Sequence, residues 1–131
     1  MNEHSFIKAI HRKLPKDIYR WKVSDRFTGG VPDCYYEGSK GALWIEYKYL
    51  NSFPKRTTTP INPGVSKLQL AWLERAERNG VNTMLAAGYP CGSISRVVIL
   101  PPDRSLTSDF YKDNGLSINE FLNMIVKVVM K

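Results

Sequence analysis

The sequence predicts a mixed α/β domain in which a central mixed sheet is flanked by helices. Three observations predict it: apolar residues at helical spacing near both ends, two β-rich runs joined by a glycine-rich turn, and two further β-rich runs after a middle helix. The predicted order is helix, two or three strands, helix, two strands and a C-terminal helix. A chain of 131 residues fits one domain.

The first half of the chain carries the first helix and the β-rich runs that follow it. Residues 3–14 are predicted to be helical, because apolar residues recur at helical spacing before Pro15. Residues 18–24 are predicted to form a short strand. Residues 31–37 and 42–48 are predicted to pair as a hairpin, because the four residues between them include two glycines.

The second half begins with a long loop over residues 49–65, which is rich in Pro, Thr and Asn. A loop of this length in a compact domain is usually functional. Residues 66–79 are predicted to form a helix that stops at Gly80. Residues 83–87 and 94–100 are predicted to be buried strands.

The C-terminal part, residues 103–131, ends in a predicted helix. Ser117 is followed three residues later by Glu120, which is a capping box at a helix start. A wide apolar stripe follows. This helix is therefore expected either to cover the core or to form a dimer interface.

The charge balance indicates a polyanion partner. Lys and Arg number 19 against 12 Asp and Glu, a net charge of +7. No apolar run is long enough to cross a membrane, the N-terminal residues lack a signal-peptide pattern, and two cysteines cannot make a disulfide framework. We therefore expect an intracellular protein whose partner is nucleic acid, against the alternative of a merely basic soluble protein.

Two carboxylates and an amine are predicted to converge on the hairpin. Side chains alternate along a strand, so Glu46 and Lys48 project from one face, and Asp33 on the paired strand can lie opposite Glu46. Such carboxylates suit a hard cation such as Mg²⁺, with Mn²⁺ expected to substitute, and the backbone carbonyl of Tyr47 can complete the ligand set. The alternative is a solvated sheet face held by cross-strand ion pairs.

These residues resemble the PD-(D/E)XK nuclease superfamily. Pro32-Asp33 matches the PD element and Glu46-Tyr47-Lys48 matches the (D/E)XK element. The chain looks most similar to VRR-NUC-type and archaeal Holliday-junction-resolvase-like members, over about residues 3–100. The resemblance implies a restriction-endonuclease-like core of the order αβββαβ and a Mg²⁺-dependent endodeoxyribonuclease, with Asp33, Glu46 and Lys48 as catalytic residues.

The resemblance also assigns roles to three further residues. A helix-1 glutamate approaches the metal in these relatives, and Glu3 lies on the inward stripe of the first helix, although an acid also suits a helix N-terminus. Gln69 ends an S-x-x-Q pattern and would lie beside the catalytic lysine, although the same pattern is a capping box. Ser24 matches a residue placed before the PD strand, with Thr28 as a competitor.

Basic residues near the proposed site in the sequence are expected to hold DNA phosphates. They are Lys40, Lys48, Lys55, Arg56 and Lys67. Tyr49 and Phe53 are expected either to stack on an unpaired base or to anchor the loop. His4 and His11 are interpreted as surface residues, and Cys34 as a buried strand residue.

Three functions compete at this point. The leading hypothesis is an endonuclease for branched DNA, because the chain has no room for a separate base-reading domain and no helix-turn-helix or zinc-finger signature. Its symmetric version is a homodimer that places two sites on a four-way junction. The alternatives are a sequence-specific endonuclease of the restriction or homing type and a non-catalytic DNA-binding module.

Overall fold

A computed structural model of the chain describes residues 1–24, 29–101 and 106–131. The elements in chain order are α1 (Glu3–Lys13), β1 (Tyr19–Lys22), β2 (Cys34–Glu37), β3 (Ala42–Tyr49), α2 (Lys67–Arg78), β4 (Thr83–Cys91), β5 (Ile94–Leu100), α3 (Ser108–Asn114) and α4 (Ile118–Val129). The predicted mixed α/β fold with its αβββαβ core is confirmed. None of the helices in these ranges has the length and apolarity that a membrane crossing requires.

Strand β4 ends at Cys91, four residues beyond its predicted end, and two other elements also differ from the prediction. Strand β2 begins at Cys34 rather than at residue 31, because Pro32 has no N–H to add to the ladder with β3. A short helix, α3, precedes the C-terminal helix. It was not predicted because seven residues with two buried positions carry too little apolar periodicity.

The five strands form one sheet in the order β1-β2-β3-β4-β5. Strands β3 and β4 pair in parallel, with α2 connecting them, and the other neighbouring strands pair antiparallel. β3 therefore lies at the centre of the sheet, where its side chains are covered on both faces.

Helices cover both faces of the sheet. On one face, α1 and α4 pack on the alternate residues of β3 that begin with Leu43, together with Cys34 and Tyr36 of β2. Cys34 is buried, as predicted, and burial raises the pKa of its thiol to about 12. On the other face, α2 packs mainly on β4 and α3 on β5, and no helix of the described ranges packs mainly on the first two strands there.

The loop after β3 is anchored in the core by an aromatic residue. The Phe53 ring lies 5.1 Å from the ring of Tyr89 and 5.4 Å from that of Tyr111. At the end of β3, Tyr49 packs against Phe6 with 5.3 Å between the rings. Of the two roles considered for Tyr49 and Phe53, the structure therefore shows the anchoring one.

His11 is half-buried and was wrongly interpreted as a surface residue. Its Nε2 lies 2.7 Å from the Tyr36 hydroxyl, which lies 2.7 Å from the Tyr47 hydroxyl in the core. Burial lowers the pKa of His11 to about 4. The sequence places His11 at the margin of the apolar stripe of α1, and helical spacing alone does not show that a buried hydroxyl lies opposite. His4, in contrast, is exposed.

Candidate active site

The pairing of β2 with β3 brings Asp33 and Glu46 to one side of the sheet. Cys34 pairs with Ile45, and both side chains point into the core beneath α1 and α4. One step further along the same register, Asp33 stands opposite Glu46, and alternation turns both carboxylates to the other face. The Asp33 Oδ2 atom accepts the backbone N–H of Tyr47 at 2.8 Å. This bond fixes the carboxylate at the open end of the hairpin.

The backbone carbonyl of Tyr47 faces the same open end. Trp44 and Leu50 donate their N–H groups to β4-side carbonyls, at 3.0 and 2.8 Å. Because backbone groups alternate direction along a strand, those of Tyr47 point away from β4, towards Asp33. Pro32, beside Asp33, has no N–H to donate to this carbonyl. A main-chain oxygen therefore points to the side of β3 on which Asp33 lies.

Glu46 is buried with one of its oxygens unpaired. Its side chain is 1% exposed, and Oε2 accepts hydrogen bonds from Lys48 Nζ at 3.2 Å and from Gln69 Nε2 at 2.9 Å. Within the ranges that the structure describes, the buried Oε1 atom has no hydrogen-bond partner. A buried carboxylate oxygen left in this way is costly. It is the kind of atom that a cation would satisfy.

The carboxylates of the site repel one another. Burial is the largest cause that raises the pKa of Glu46 to about 7, followed by the negative charge of Asp33. Burial also raises the pKa of Asp33, against the hydrogen bond from Tyr47 and the charge of Lys48. The pKa of Glu3 rises for the same two reasons, burial and then the charge of Asp33. The N-terminus of α1 therefore lies within electrostatic range of Asp33.

Gln69 is held beside Glu46 by a helix cap and a close backbone approach. Ser66 Oγ accepts the Gln69 N–H at 3.1 Å, and Gln69 Oε1 accepts the Ser66 N–H at 3.0 Å, so the capping box is formed. The other end of the same amide donates to Glu46. At Gly30, with φ of +86°, an added Cβ would lie 2.3 Å from the Leu68 carbonyl oxygen. Only glycine therefore lets the approach to β2 pass so close to α2.

The remaining predicted DNA-binding residues are exposed. Lys55 and Arg56 are exposed in the loop after β3, and Lys67 is exposed at the start of α2. Ser24 is exposed just after Val23, whose N–H donates to the Asp33 carbonyl at 2.8 Å. Thr28, its competitor, lies outside the described residues.

Lys40 does not lie near the site, and grouping it with the other basic residues was wrong. It occupies the turn of the β2–β3 hairpin, where its Nζ donates to the Lys127 carbonyl at 3.3 Å. Asp33 and Glu46 lie at the opposite end of that hairpin, about 20 Å away at ~3.3 Å per residue. Proximity along the chain was misleading because the turn is the point of a hairpin furthest from its open end.

Sequence reasoning missed Lys22 and did not identify what Gly30 does. The charge of Lys22 lowers the pKa of both Glu3 and Asp33, so it lies within electrostatic range of these carboxylates. The signal for Lys22 was its place at the end of the strand before the PD element. The signal for Gly30 was the pair Gly29-Gly30, which ends two positions before Pro32.

The donor set at the site consists of two carboxylates and a main-chain oxygen. Among the residues with described positions, no three His, Cys, Asp or Glu side chains come together in a way that could hold a metal. Asp33, Glu46 and the Tyr47 carbonyl provide hard oxygen donors of the kind that Mg²⁺ binds. The unpaired Glu46 Oε1 and the raised pKa values of the carboxylates fit a divalent cation at this point.

Comparison with known proteins identifies the fold. The structure of Hjc, a Holliday junction resolvase from the archaeal hyperthermophile Archaeoglobus fulgidus, matches the chain with a TM-score of 0.53 and 18% sequence identity. The match covers 91% of this chain and 98% of Hjc. No protein-family model and no curated protein matches the sequence. The chain therefore has a resolvase-like fold.

Proposed function

We propose that this protein is a metal-dependent endonuclease that hydrolyses phosphodiester bonds in branched DNA. The observation that carries the proposal is the buried Glu46, with one oxygen unpaired, beside Asp33 and Lys48. An ion-paired sheet face would expose its carboxylates to water and would leave no buried oxygen unpaired. The resolvase-like fold supports a nuclease, and the resemblance to PD-(D/E)XK enzymes agrees with it.

Each residue of the site has a proposed role. Asp33, Glu46 and the Tyr47 carbonyl would hold Mg²⁺ or Mn²⁺. A bound divalent cation supplies polarisation of the phosphate and a lower pKa for a water ligand. Lys48, held 3.2 Å from Glu46, would donate to the developing negative charge of the phosphate or orient the attacking water. Glu3, which lies within electrostatic range of Asp33, would accept a hydrogen bond from a water at the edge of the site.

DNA would be held through its backbone. We propose that Lys55, Arg56, Lys67 and Ser24 contact phosphates around the site, in a chain of net charge +7. The matched protein is described as a Holliday junction resolvase, which supports branched DNA as the substrate and recombination or repair as the process. A homodimer would place two such sites on one four-way junction.

A panel of labelled DNAs with and without Mg²⁺ tests the proposal. A four-way junction, a flap, a linear duplex and a plasmid are incubated with the wild type, Lys48→Met and Lys40→Met. We expect Mg²⁺-dependent cutting of the branched DNAs, a rate lower by about 10²–10³ in Lys48→Met, and retained DNA binding. Lys40→Met is the matched control, because it removes the same charge from the far end of the same hairpin.

Other outcomes of this panel would replace the proposal. Cutting of duplex alone at fixed positions would indicate a sequence-specific endonuclease. DNA binding with no cutting in Mg²⁺ or Mn²⁺ would indicate a non-catalytic module. Equal rates for Lys48→Met and the wild type would reject the site assignment.

The two roles of Gln69 can be separated by a pair of substitutions. In Gln69→Glu the carboxylate still accepts the Ser66 N–H but no longer donates to Glu46, so we expect cleavage to fall about 10- to 100-fold while the helix cap remains. In Ser66→Ala the cap is lost, which costs about 1 kcal/mol of stability, and cleavage is largely kept. Single-turnover rates and urea unfolding measure both. An equal loss of cleavage in the two variants would assign Gln69 to the helix cap alone.

A further inference from the structure

A continuous row of aromatic rings lies on the same face of the sheet as the carboxylates. Adjacent rings in it are 4.8–6.5 Å apart. We call this row the aromatic strip; its members are Tyr19 and Trp21 of β1, Tyr35 of β2, Trp44 of β3 and Trp72 of α2. The strip crosses three strands and ends on the helix that also supplies Gln69.

The outer part of the aromatic strip is exposed. Tyr19 is 59% exposed and Trp21 is 48% exposed. Among the described helices, α2 and α3 have their main contacts on this face with β4 and β5 rather than with β1 and β2. Cross-strand aromatic pairs stabilise a sheet, and that explains the contact of Tyr35 with Trp44. It does not explain why two large rings at the edge remain in water, since contiguous exposed apolar patches generally mark binding surfaces.

The strip adjoins the carboxylates directly. Tyr35 and Trp44 are paired across β2 and β3, and they lie two residues from Asp33 and from Glu46 along their strands. Side chains two residues apart on a strand share a face and are about 7 Å apart. Charges on one DNA strand are spaced about 3.4 Å along the helix axis, so the strip begins one or two nucleotides from the site.

The charges around the strip favour a nucleic acid over a second copy of this chain. Arg75 lies over the Trp72 ring at 4.9 Å, at one end of the strip, and the chain carries a net charge of +7. Arg20 and Lys22 of β1 alternate to the opposite face, where Arg20 donates to the His11 and Pro15 carbonyls. Two copies with this net charge would repel each other, whereas a polyanion is attracted. The acidic Glu37 nearby already accepts a hydrogen bond from the Tyr35 hydroxyl. Flat apolar rings beside a cation suit bases on a phosphate backbone.

We infer that the aromatic strip stacks unpaired nucleotides next to the scissile phosphate. The inference rests on the proposed nuclease function and narrows its substrate class to DNA with unpaired nucleotides beside the cut, such as forks, flaps and opened junctions. Trp21 and Tyr19 hold the unstacked bases, and Trp44 borders the carboxylates. Stacking of this kind tolerates any base, because every base presents a flat face to the ring.

Binding without divalent metal tests the inference separately from cleavage. The full chain and its Trp21→Ala and Trp21→Tyr variants are titrated with a fork that has an unpaired thymidine arm and with a duplex of the same length. We expect Trp21→Ala to weaken fork binding about tenfold, with duplex binding unchanged and fork binding restored in Trp21→Tyr. Ile94→Ala is the matched control, because Ile94 is 57% exposed at the start of β5, away from the strip.

Two further readouts decide between the possible occupants. Unfolding midpoints show that each variant is folded, and Tyr19→Ala replaces Trp21→Ala if the latter is not. Equal effects of Trp21→Ala on fork and duplex, or none, would overturn the inference, as would a change confined to the oligomeric state measured by light scattering. Trp21-dependent fork binding without any cleavage would reject the nuclease and retain the stacking surface. Cleavage at the same rate in Trp21→Ala and in the wild type would retain the nuclease and reject the stacking surface.

Discussion

Glu46→Gln is expected to abolish cleavage and, at pH 8, to make the metal-free protein more stable. The variant removes a buried negative charge that Asp33 repels, and its amide can donate a hydrogen bond to the Asp33 carboxylate. We expect a gain on the order of 3 kcal/mol in the free energy of unfolding at pH 8, since each unit of pKa corresponds to about 1.4 kcal/mol and the pKa of Glu46 is raised from 4.5 to about 7.

The sign of the pH dependence follows from that raised pKa. Below pH 4.5 Glu46 is neutral in both the folded and the unfolded chain, and between pH 4.5 and about 7 only the unfolded chain releases the proton. The contribution of Glu46 to stability is therefore present at low pH and is lost as the pH rises to about 7. His11, with its pKa lowered to about 4, has the opposite dependence, so the difference between variant and wild type is the quantity to measure.

Urea unfolding from pH 4 to 8 measures this difference, with Glu74→Gln on the exposed side of α2 as the control. At a pH above 7, added Mg²⁺ should raise the urea concentration at which half of the wild type is unfolded. The corresponding midpoint of Glu46→Gln should not change. A variant that is less stable than the wild type at pH 8, or that still cleaves, would contradict this account of Glu46.

Gly30→Ala is expected to lower cleavage about a hundredfold and to destabilise the protein by about 2 kcal/mol or more. An alanine Cβ at this positive φ would stand 2.3 Å from the Leu68 carbonyl oxygen, so the start of α2 must move. Gln69 moves with it, away from Glu46. A displacement of about 1 Å in a positioning group can cost about 10²-fold in rate.

Gly80→Ala separates backbone strain from displacement. Gly80 follows α2 at its other end with φ of +77°, and an added Cβ there would meet nothing within 4 Å. The control should lose about 1 kcal/mol through its φ alone and keep its cleavage rate. Single-turnover rates and urea unfolding of both variants test this. Similar cleavage in Gly30→Ala and Gly80→Ala would show that the close approach at Gly30 does not position Gln69.

The sequence was most informative where side-chain direction depends only on local geometry. Alternation along β3 predicted that Glu46 and Lys48 share a face, and the hairpin signal predicted that Asp33 lies opposite Glu46. The S-x-x-Q pattern left two interpretations of Gln69, a helix cap and a place beside the site. In the structure its side chain accepts the Ser66 N–H of the cap and also donates a hydrogen bond to Glu46. Whether the carboxylates hold a metal and cut DNA remains a prediction.

Features that depend on the full sheet were not predictable in the same way. Lys40 was grouped with the site because it is near Asp33 and Glu46 in the sequence, although a hairpin separates its turn from its open end. The aromatic strip was missed because its members come from four elements, each with only one or two rings. Their contact depends on strand order and on where α2 is placed, and no single segment contains that information.

Pro32 affects the proposed metal site through the backbone N–H group that it lacks. Because proline cannot donate a backbone hydrogen bond, it does not extend the β2–β3 ladder at this position. The Tyr47 carbonyl oxygen still points to the side of β3 on which Asp33 lies. A complete ladder would be the more stable sheet and would make this oxygen unavailable to an ion. The edge of secondary structure, rather than any additional side chain, thus provides the third donor of the proposed centre.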